Sequence, residues 1–184
     1  MCEANIKLIT LVSSFWIFAC STEGNLAEEY ANYTAAEKAK KTLFEAEDSA
    51  DYLAAAELFD PIIDEIEKKD AADRTYELYP LAAASYAGAA GITAADILLL
   101  APDLAGGDTS SLEENLAKTV LTETRENQMQ KAIDKLGLIS GLDAMDNTAA
   151  SWVAGAKVQV LLYPVIKACM QLKRAGFPSC NVGG

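Results

Sequence analysis

The abundance of alanine is the feature that most constrains how this 184-residue chain can fold. Hydrophobic residues make up 51% of the sequence, aromatic residues account for only 8%, and alanine dominates the apolar fraction. Alanine is the strongest helix former, and alanine-rich faces allow helices to approach one another closely. A β-sheet would require more Val, Ile, Thr and aromatic residues. The composition therefore predicts an all-α fold, and the length suits a single domain with a substantial core.

Helical periodicity divides the chain into about five or six helices with at least one antiparallel hairpin, arranged as a bundle or a short solenoid. Caps, glycines and prolines mark the expected ends of these helices. Pro61 is expected to kink the second helix or to mark a junction, and the apolar run 97–100 is expected to be fully buried. The predicted helices span 28–48, 50–69, 74–90, 94–100, 112–136 and 148–174, and the predicted loops span 102–111 and 137–147.

Residues 1–20 are typical of a targeting segment and not of a folded domain. Lys7 precedes an apolar run over residues 8–19, which is too short to span a bilayer because a helical span needs about 20 apolar residues. The run leads into the motif Ile17-Phe18-Ala19-Cys20. This motif resembles the lipobox of bacterial lipoproteins, in which a small residue precedes the lipid-modified cysteine. The resemblance implies lipidation of Cys20; the alternative is an ordinary cleaved signal peptide.

The lipobox-like motif also implies an organisation for the whole chain. A signal peptide over residues 1–19 is followed by a lipidated cysteine and tether over residues 20–26, and a single helical domain covers residues 27–184. Several acyl chains on Cys20 would provide a stable anchor. Ser21 stands where an Asp retains lipoproteins in the inner membrane of enteric bacteria, so the resemblance favours the periplasmic face of the outer membrane.

The formal net charge of −12 and the absence of histidine exclude several classes of function. An acidic surface repels phosphate backbones, so we expect no nucleic-acid partner. Without histidine the chain lacks the commonest general base near neutral pH and the commonest metal ligand. The carboxylates in residues 45–51 and 60–67 alternate with apolar residues, which is the pattern of solvated helix faces. We therefore expect a non-catalytic protein with no cofactor and no metal ion.

Cys169 and Cys180 are the two cysteines that remain once Cys2 leaves with the signal peptide and Cys20 is lipidated. In an oxidising exported compartment such a pair is expected to form a disulfide. The turn at residues 176–178 separates the last predicted helix from Cys180, so the chain can fold back to join them. Two independent buried thiols are the alternative.

The second and third predicted helices resemble in size one tetratricopeptide unit of about 34 residues, a paired-helix module that binds partners. Ala55 and Phe59 match one element of that pattern, but the Trp-Leu-Gly-Tyr block is missing and no second copy is evident. Three tyrosines of the third helix could line a groove for a partner, and core packing is the alternative interpretation. They are Tyr76, Tyr79 and Tyr86.

These features together predict a membrane-anchored, non-catalytic envelope lipoprotein that acts as a protein-binding adaptor or assembly factor. The concave face of the helix pair 50–69 and 74–90 is the expected contact surface for an envelope protein. The alternative is a periplasmic carrier of a small or apolar ligand, which predicts a cavity among the helices. An enzyme that uses carboxylates would require two of them to be buried and to face each other.

Overall fold

A computed structural model describes residues 34–145 and 151–180, and the secondary structure of these residues is helical, without a β-strand. The all-α prediction is therefore confirmed. The predicted signal peptide, Cys20 and the tether over residues 20–26 lie outside the described residues. The α-helices are α1 Ala35–Phe44, α2 Ser49–Glu67, α3 Tyr79–Ala89, α4 Ala94–Ala105, α5 Ser110–Ala117, α6 Glu123–Gly137 and α7 Ser151–Arg174. Two short 3₁₀ helices are η1 Ala71–Asp73 and η2 Leu142–Ala144.

Threonine caps define where several of these helices begin. At α1, the Thr34 hydroxyl accepts a hydrogen bond from the Glu37 backbone N–H, and the Glu37 carboxylate accepts one from the Thr34 backbone N–H. Thr93 and Asp96 form the same reciprocal capping box at α4. Each box satisfies two backbone donors that a helix start would otherwise leave without a partner.

The prediction of one helix over residues 112–136 is wrong, because the structure divides this segment into α5 and α6. Helix α5 ends at Ala117, and α6 begins only after Thr122, whose hydroxyl accepts a hydrogen bond from the Arg125 backbone N–H. Thr119 and Val120 lie between the two helices. Their β-branched side chains lose rotamer freedom in a helix, and a capping threonine nearby offers a new helix start.

Three prolines lie inside helices at solvent-exposed positions. Pro61, Pro102 and Pro164 belong to α2, α4 and α7. At an exposed position the carbonyl four residues earlier can bond water in place of the missing N–H, so the helix can continue. Pro61 therefore does not mark a junction within α2. The loop predicted from residue 102 also starts later, because α4 continues to Ala105.

Helix α3 forms the centre of the bundle, with α2 and α6 packed against it and α7 also in contact. Helix α1 covers α2, and α7 packs on α6. The antiparallel α2–α3 hairpin requires glycine at position 88, because a Cβ there would lie 2.3 Å from a ring carbon of Tyr52. The absence of a side chain at Gly88 therefore lets the two helices approach closely.

Helix α4 lies at the surface of the bundle, and its apolar run is only half-buried. Ile97 and Leu100 are buried, whereas Leu98 and Leu99 are 47% and 74% exposed. The expectation that residues 97–100 are fully buried is therefore wrong. A helix on the surface turns only one face towards the core, and residues three apart, such as 97 and 100, share that face.

Among the described helices, only α7, over Trp152–Arg174, is by itself long and apolar enough to cross a membrane. Helices α3 and α4 pass the same test as a pair, but the chain bends by 91° between them. A core helix also passes such a test, and α7 contacts α3, α4, α5 and α6. Packing against these helices buries only 39% of its apolar window, so the core accounts for only part of its apolar composition.

Candidate functional site

Tyr79 and Tyr86, two of the tyrosines predicted to contact a partner, lie inside the α2–α3 hairpin. Their side chains are 0% and 1% exposed. The Tyr79 hydroxyl donates a hydrogen bond to the Glu67 carboxylate, and the Tyr86 hydroxyl donates one to the Asp60 carboxylate, each at 2.5 Å. Burial and these bonds to carboxylates raise the pKa of both tyrosines above the ordinary value.

A cation completes each tyrosine–carboxylate pair. Arg74 Nη1 lies 2.8 Å from Glu67 Oε2, and Lys135 Nζ forms an ion pair with Asp60 Oδ1 at 2.8 Å. The two carboxylates are seven residues apart on α2, and the two tyrosines are seven residues apart on α3, so equivalent layers recur after about two helical turns. These two groups, the hairpin layers, hold the register of the helix pair. Two of the carboxylates predicted to be solvated are therefore partly buried structural groups.

Tyr76 precedes α3 and is partly buried against the core. Its ring centroid lies 5.4 Å from that of Tyr79, and its hydroxyl oxygen is buried with no hydrogen-bond partner in the described part of the chain. Side chains from α1 and α6 pack around the α2–α3 pair, where we had expected a contact surface. The partner-binding role of the three tyrosines stays a prediction, and exposed apolar side chains lie on other elements, among them α7 and α4.

The sulfur atoms of Cys169 and Cys180 lie within disulfide distance, and their Cα atoms are 4.9 Å apart. The Cys180 backbone N–H donates to Glu113 Oε1 at 2.8 Å, and Lys173 Nζ donates to Glu113 Oε2 at 2.9 Å. These hydrogen bonds to its charged form lower the pKa of Glu113. The segment after α7 is therefore joined both to α7 and to α5.

A cleft of about 400 Å³ opens between α6, η2 and α7. Its volume falls in the range of small-molecule sites, roughly 300–1,000 Å³. Asp143 contributes an exposed carboxylate to the lining. Ala144 and Pro164 also line the cleft. Its larger apolar side chains are Ile133, Leu136, Ile139, Leu142, Val160 and Tyr163.

Gln159 is one of the lining residues of this cleft, and its side chain carries an unsatisfied polar atom. Its Oε1 is buried and has no hydrogen-bond partner within residues 34–145 and 151–180. Lys157, two residues earlier on α7, donates from Nζ to the Met145 carbonyl at 2.7 Å and to the Asp143 carbonyl at 3.3 Å. These bonds fix the η2 wall to α7. A buried acceptor without a partner costs about 1–3 kcal/mol.

The outer face of α7 carries a strip of exposed apolar residues. Val158, Leu161 and Val165 are 39%, 72% and 43% exposed, and Pro164 and Ala168 are exposed beside them. The strip extends over eleven residues of helix, 158–168, or about 15 Å. Helix α7 has no acidic residue. We call these five residues the α7 strip.

Neither the α7 strip nor Gln159 was predicted from the sequence. Helix α7 has apolar residues around its whole circumference, so periodicity could not show which of them face outwards. Among the residues that the structure describes, no three Cys, Asp or Glu side chains are grouped so that they could hold a metal ion.

The chain matches no protein-family model, and no curated protein or solved structure shows significant similarity to it. The lipobox-like and tetratricopeptide-like resemblances of the sequence therefore stay predictions.

Proposed function

We propose that this chain is a lipid-anchored, non-catalytic protein of a bacterial cell envelope whose helical domain binds an envelope protein. The exposed α7 strip is the observation that carries the proposal. Apolar side chains at helical spacing are how a helix engages an apolar groove of a partner, and Leu161, which is 72% exposed, is the most prominent of them. The proposed partner therefore presents an apolar groove that receives α7.

Two features of the sequence support the remaining parts of the proposal. The chain contains no histidine, which removes the residue most often used as a general base near neutral pH. The lipobox-like motif ending at Cys20 supports an anchor at the periplasmic face of the outer membrane. A tether of only six residues, 21–26, extends at most about 20 Å and would hold the domain close to that membrane.

The substitution Leu161→Glu tests the contact surface. It places an unpaired charge in the proposed interface, where desolvation is costly, and should reduce recovery of the partner at least tenfold. The protein is cross-linked in native membranes, solubilised in detergent and recovered through a tag, and one partner is quantified by mass spectrometry in each variant. Val120→Glu is the matched control, because Val120 is 75% exposed and lies between α5 and α6.

The proposal requires that wild type and Val120→Glu recover the same envelope protein and that Leu161→Glu loses it. Equal recovery by Leu161→Glu would show that α7 is not the contact surface. Recovery of nothing but further copies of this chain would replace the heterologous partner with self-association.

The anchor is tested separately with Cys20→Ala. Labelled palmitate should be incorporated into the wild-type chain and not into this variant, which should leave the membrane fraction. Density separation of the two membranes then locates the wild-type protein, which we expect with the outer membrane. A wild-type chain that takes up no label, or a variant that stays labelled, would contradict lipidation at Cys20.

A further inference from the structure

The cleft between α6, η2 and α7 has the construction of a small-molecule site. Its walls are mainly apolar, and its volume of about 400 Å³ suits a small ligand. Two of the walls are fastened to each other, because Lys157 on α7 donates hydrogen bonds to the carbonyls of Met145 and Asp143 beside η2. The cleft is therefore formed before a ligand arrives, which lowers the entropy cost of binding.

Gln159 determines which polar group such a ligand should carry. Its buried Oε1 lacks a partner within the described part of the chain, and a carbonyl oxygen can only accept a hydrogen bond. A ligand that donates to this atom would recover the interaction that Gln159 now lacks. A ligand that carries only hydrogen-bond acceptors would leave Oε1 without a partner and would also keep water away from it.

The charges around the cleft indicate that the ligand is not an anion. Asp143 lies in the lining with an exposed carboxylate, and the ammonium group of Lys157 is already bonded to two carbonyls. The whole chain carries a formal charge of −12. A carboxylate or phosphate on the ligand would therefore be repelled by the protein's net charge and would find no Lys or Arg among the described lining residues.

We propose that this cleft binds an uncharged, slender apolar molecule with a hydroxyl group at one end, and that the Gln159 side chain turns its buried Oε1 towards the cleft to accept a hydrogen bond from that hydroxyl. The apolar chain lies against the side chains of α6 and η2. This proposal requires neither the lipid anchor nor a protein partner on the α7 strip. Pro164 borders both surfaces, but the tests use Gln159 and Leu161, which each belong to only one of them, so the two proposals can fail independently.

Three matched probes test the predicted ligand chemistry on the full chain. Decanol has the apolar chain and the donor, decyl methyl ether has the chain and can only accept, and decanoate carries a charge. Each is titrated while backbone amide resonances are followed by NMR. Decanol should shift the resonances of residues around Leu142 and Gln159 and saturate, and it should bind more tightly than the ether by roughly two- to tenfold. Decanoate should bind more weakly still.

Two glutamine variants assign the hydrogen bond. Gln159→Leu should weaken decanol binding by roughly two- to tenfold and abolish its advantage over the ether. Gln128→Leu is the control, since Gln128 Oε1 is also buried without a partner in the described structure but does not line the cleft. This control should bind all three probes as wild type does.

Gly137→Phe tests the location by narrowing the cleft. Gly137 lines the cleft, and a Cβ at this position would meet no atom within 4 Å, so the substitution should not disturb the core. We expect it to abolish decanol binding while the thermal unfolding curve stays close to that of wild type. If Gly137→Phe lowers the stability instead, the comparison of Gln159→Leu with Gln128→Leu still tests whether the cleft binds decanol.

Certain results would overturn the proposal. Decanol that shifts no cleft resonance, or that shifts equally those of residues far from the cleft, would show that no specific site exists there. Equal affinities for decanol and its methyl ether would remove the donor requirement, and tighter binding of decanoate would contradict the charge argument. A Gln159→Leu protein with unchanged decanol affinity would show that this side chain does not recognise the ligand.

Discussion

The α2–α3 hairpin and the α6–α7 side of the molecule are built from the same kind of alanine-containing helices, but they treat polar and apolar groups differently. In the hairpin, tyrosine hydroxyls, carboxylates and cations meet in two layers, and Gly88 lets the helices approach closely. On the α6–α7 side a cleft stays open, Gln159 Oε1 lacks a partner within the described residues, and Leu161 stands in solvent.

This difference separates the part of the molecule that stabilises the fold from the part available for binding. Paired polar groups and close packing contribute stability, whereas an unpaired buried acceptor and an exposed apolar strip both reduce it. Proteins retain such costly features mainly where they are needed for function. We therefore propose that the hairpin layers mainly stabilise the fold and that α7 and its neighbours bind. The Tyr76 hydroxyl, which precedes α3, is also buried without a partner in the described structure, so the contrast concerns the two hairpin layers and not every polar group near them.

Of the variants that compare the two regions, Phe59→Ala should cause the largest loss in the free energy of unfolding. Phe59 on α2 is fully buried, so its truncation should lower the free energy of unfolding by about 3–5 kcal/mol. Leu161→Ala on α7 removes an exposed side chain and should change the free energy by less than about 0.5 kcal/mol. Urea denaturation measures both values. Similar losses in the two variants would show that the α7 strip also stabilises the fold.

Removal of the Cys169–Cys180 disulfide should cause the next largest loss in the free energy of unfolding. Cys169 and Cys180 are separated by 11 residues, and closing a loop of this size stabilises a protein by about 3 kcal/mol. Replacing both cysteines with serine should lower the free energy of unfolding by about that amount. Wild-type protein measured with and without a reductant is the control. An unchanged midpoint in both experiments would mean that the bonds to Glu113 alone hold this segment.

Removal of a single tyrosine hydroxyl should lower the free energy of unfolding by less. The loss should be larger in the α2–α3 hairpin than on the α6–α7 side. Tyr79→Phe and Tyr86→Phe each remove a hydrogen bond to a carboxylate, so each should cost about 1.5–3 kcal/mol. Tyr163→Phe, beside the cleft, serves as the comparison. Burial alone raises the pKa of Tyr163, whereas hydrogen bonds to carboxylates also raise the pKa values of Tyr79 and Tyr86. A loss in Tyr163→Phe as large as in the hairpin variants would contradict a special role for the hairpin layers.

A change of pH has the smallest expected effect on the free energy of unfolding, because the effect begins only above about pH 10. In the folded state the pKa values of Tyr79, Tyr86 and Tyr163 are raised above the unfolded value of about 10. Their contribution to stability is therefore fully present below about pH 10 and is lost as the pH rises towards their folded pKa values. Spectrophotometric titration should show these three ionising together with unfolding. Reversible ionisation of all seven tyrosines in the folded protein would contradict this.

Some of these features could be predicted from the sequence, and others could not. The alanine content and helical periodicity predicted the all-α fold and the hairpin, and elimination among the cysteines predicted the Cys169–Cys180 pair. The matching seven-residue spacings of Asp60 with Glu67 and of Tyr79 with Tyr86 could have predicted the hairpin layers.

The cleft and the α7 strip depend on how elements distant in sequence pack. Helix α6, η2 and α7 form the cleft only in the folded chain, and apolar residues all around α7 hide its exposed face. The break between α5 and α6 was missed for a different reason, since the segment around Val120 lacks a glycine or proline. Local β-branching and a threonine cap were sufficient to interrupt the helix.

Site-specific photo-cross-linking in the native envelope tests most directly whether binding resides on α7 and not on the hairpin. A photoreactive amino acid is placed at Leu161, which is 72% exposed, and in a second strain at Leu58 on α2, which is 40% exposed. We predict that Leu161 captures one envelope protein and that Leu58 captures none of it. Capture of that protein from Leu58 and not from Leu161 would contradict the assignment of the two regions.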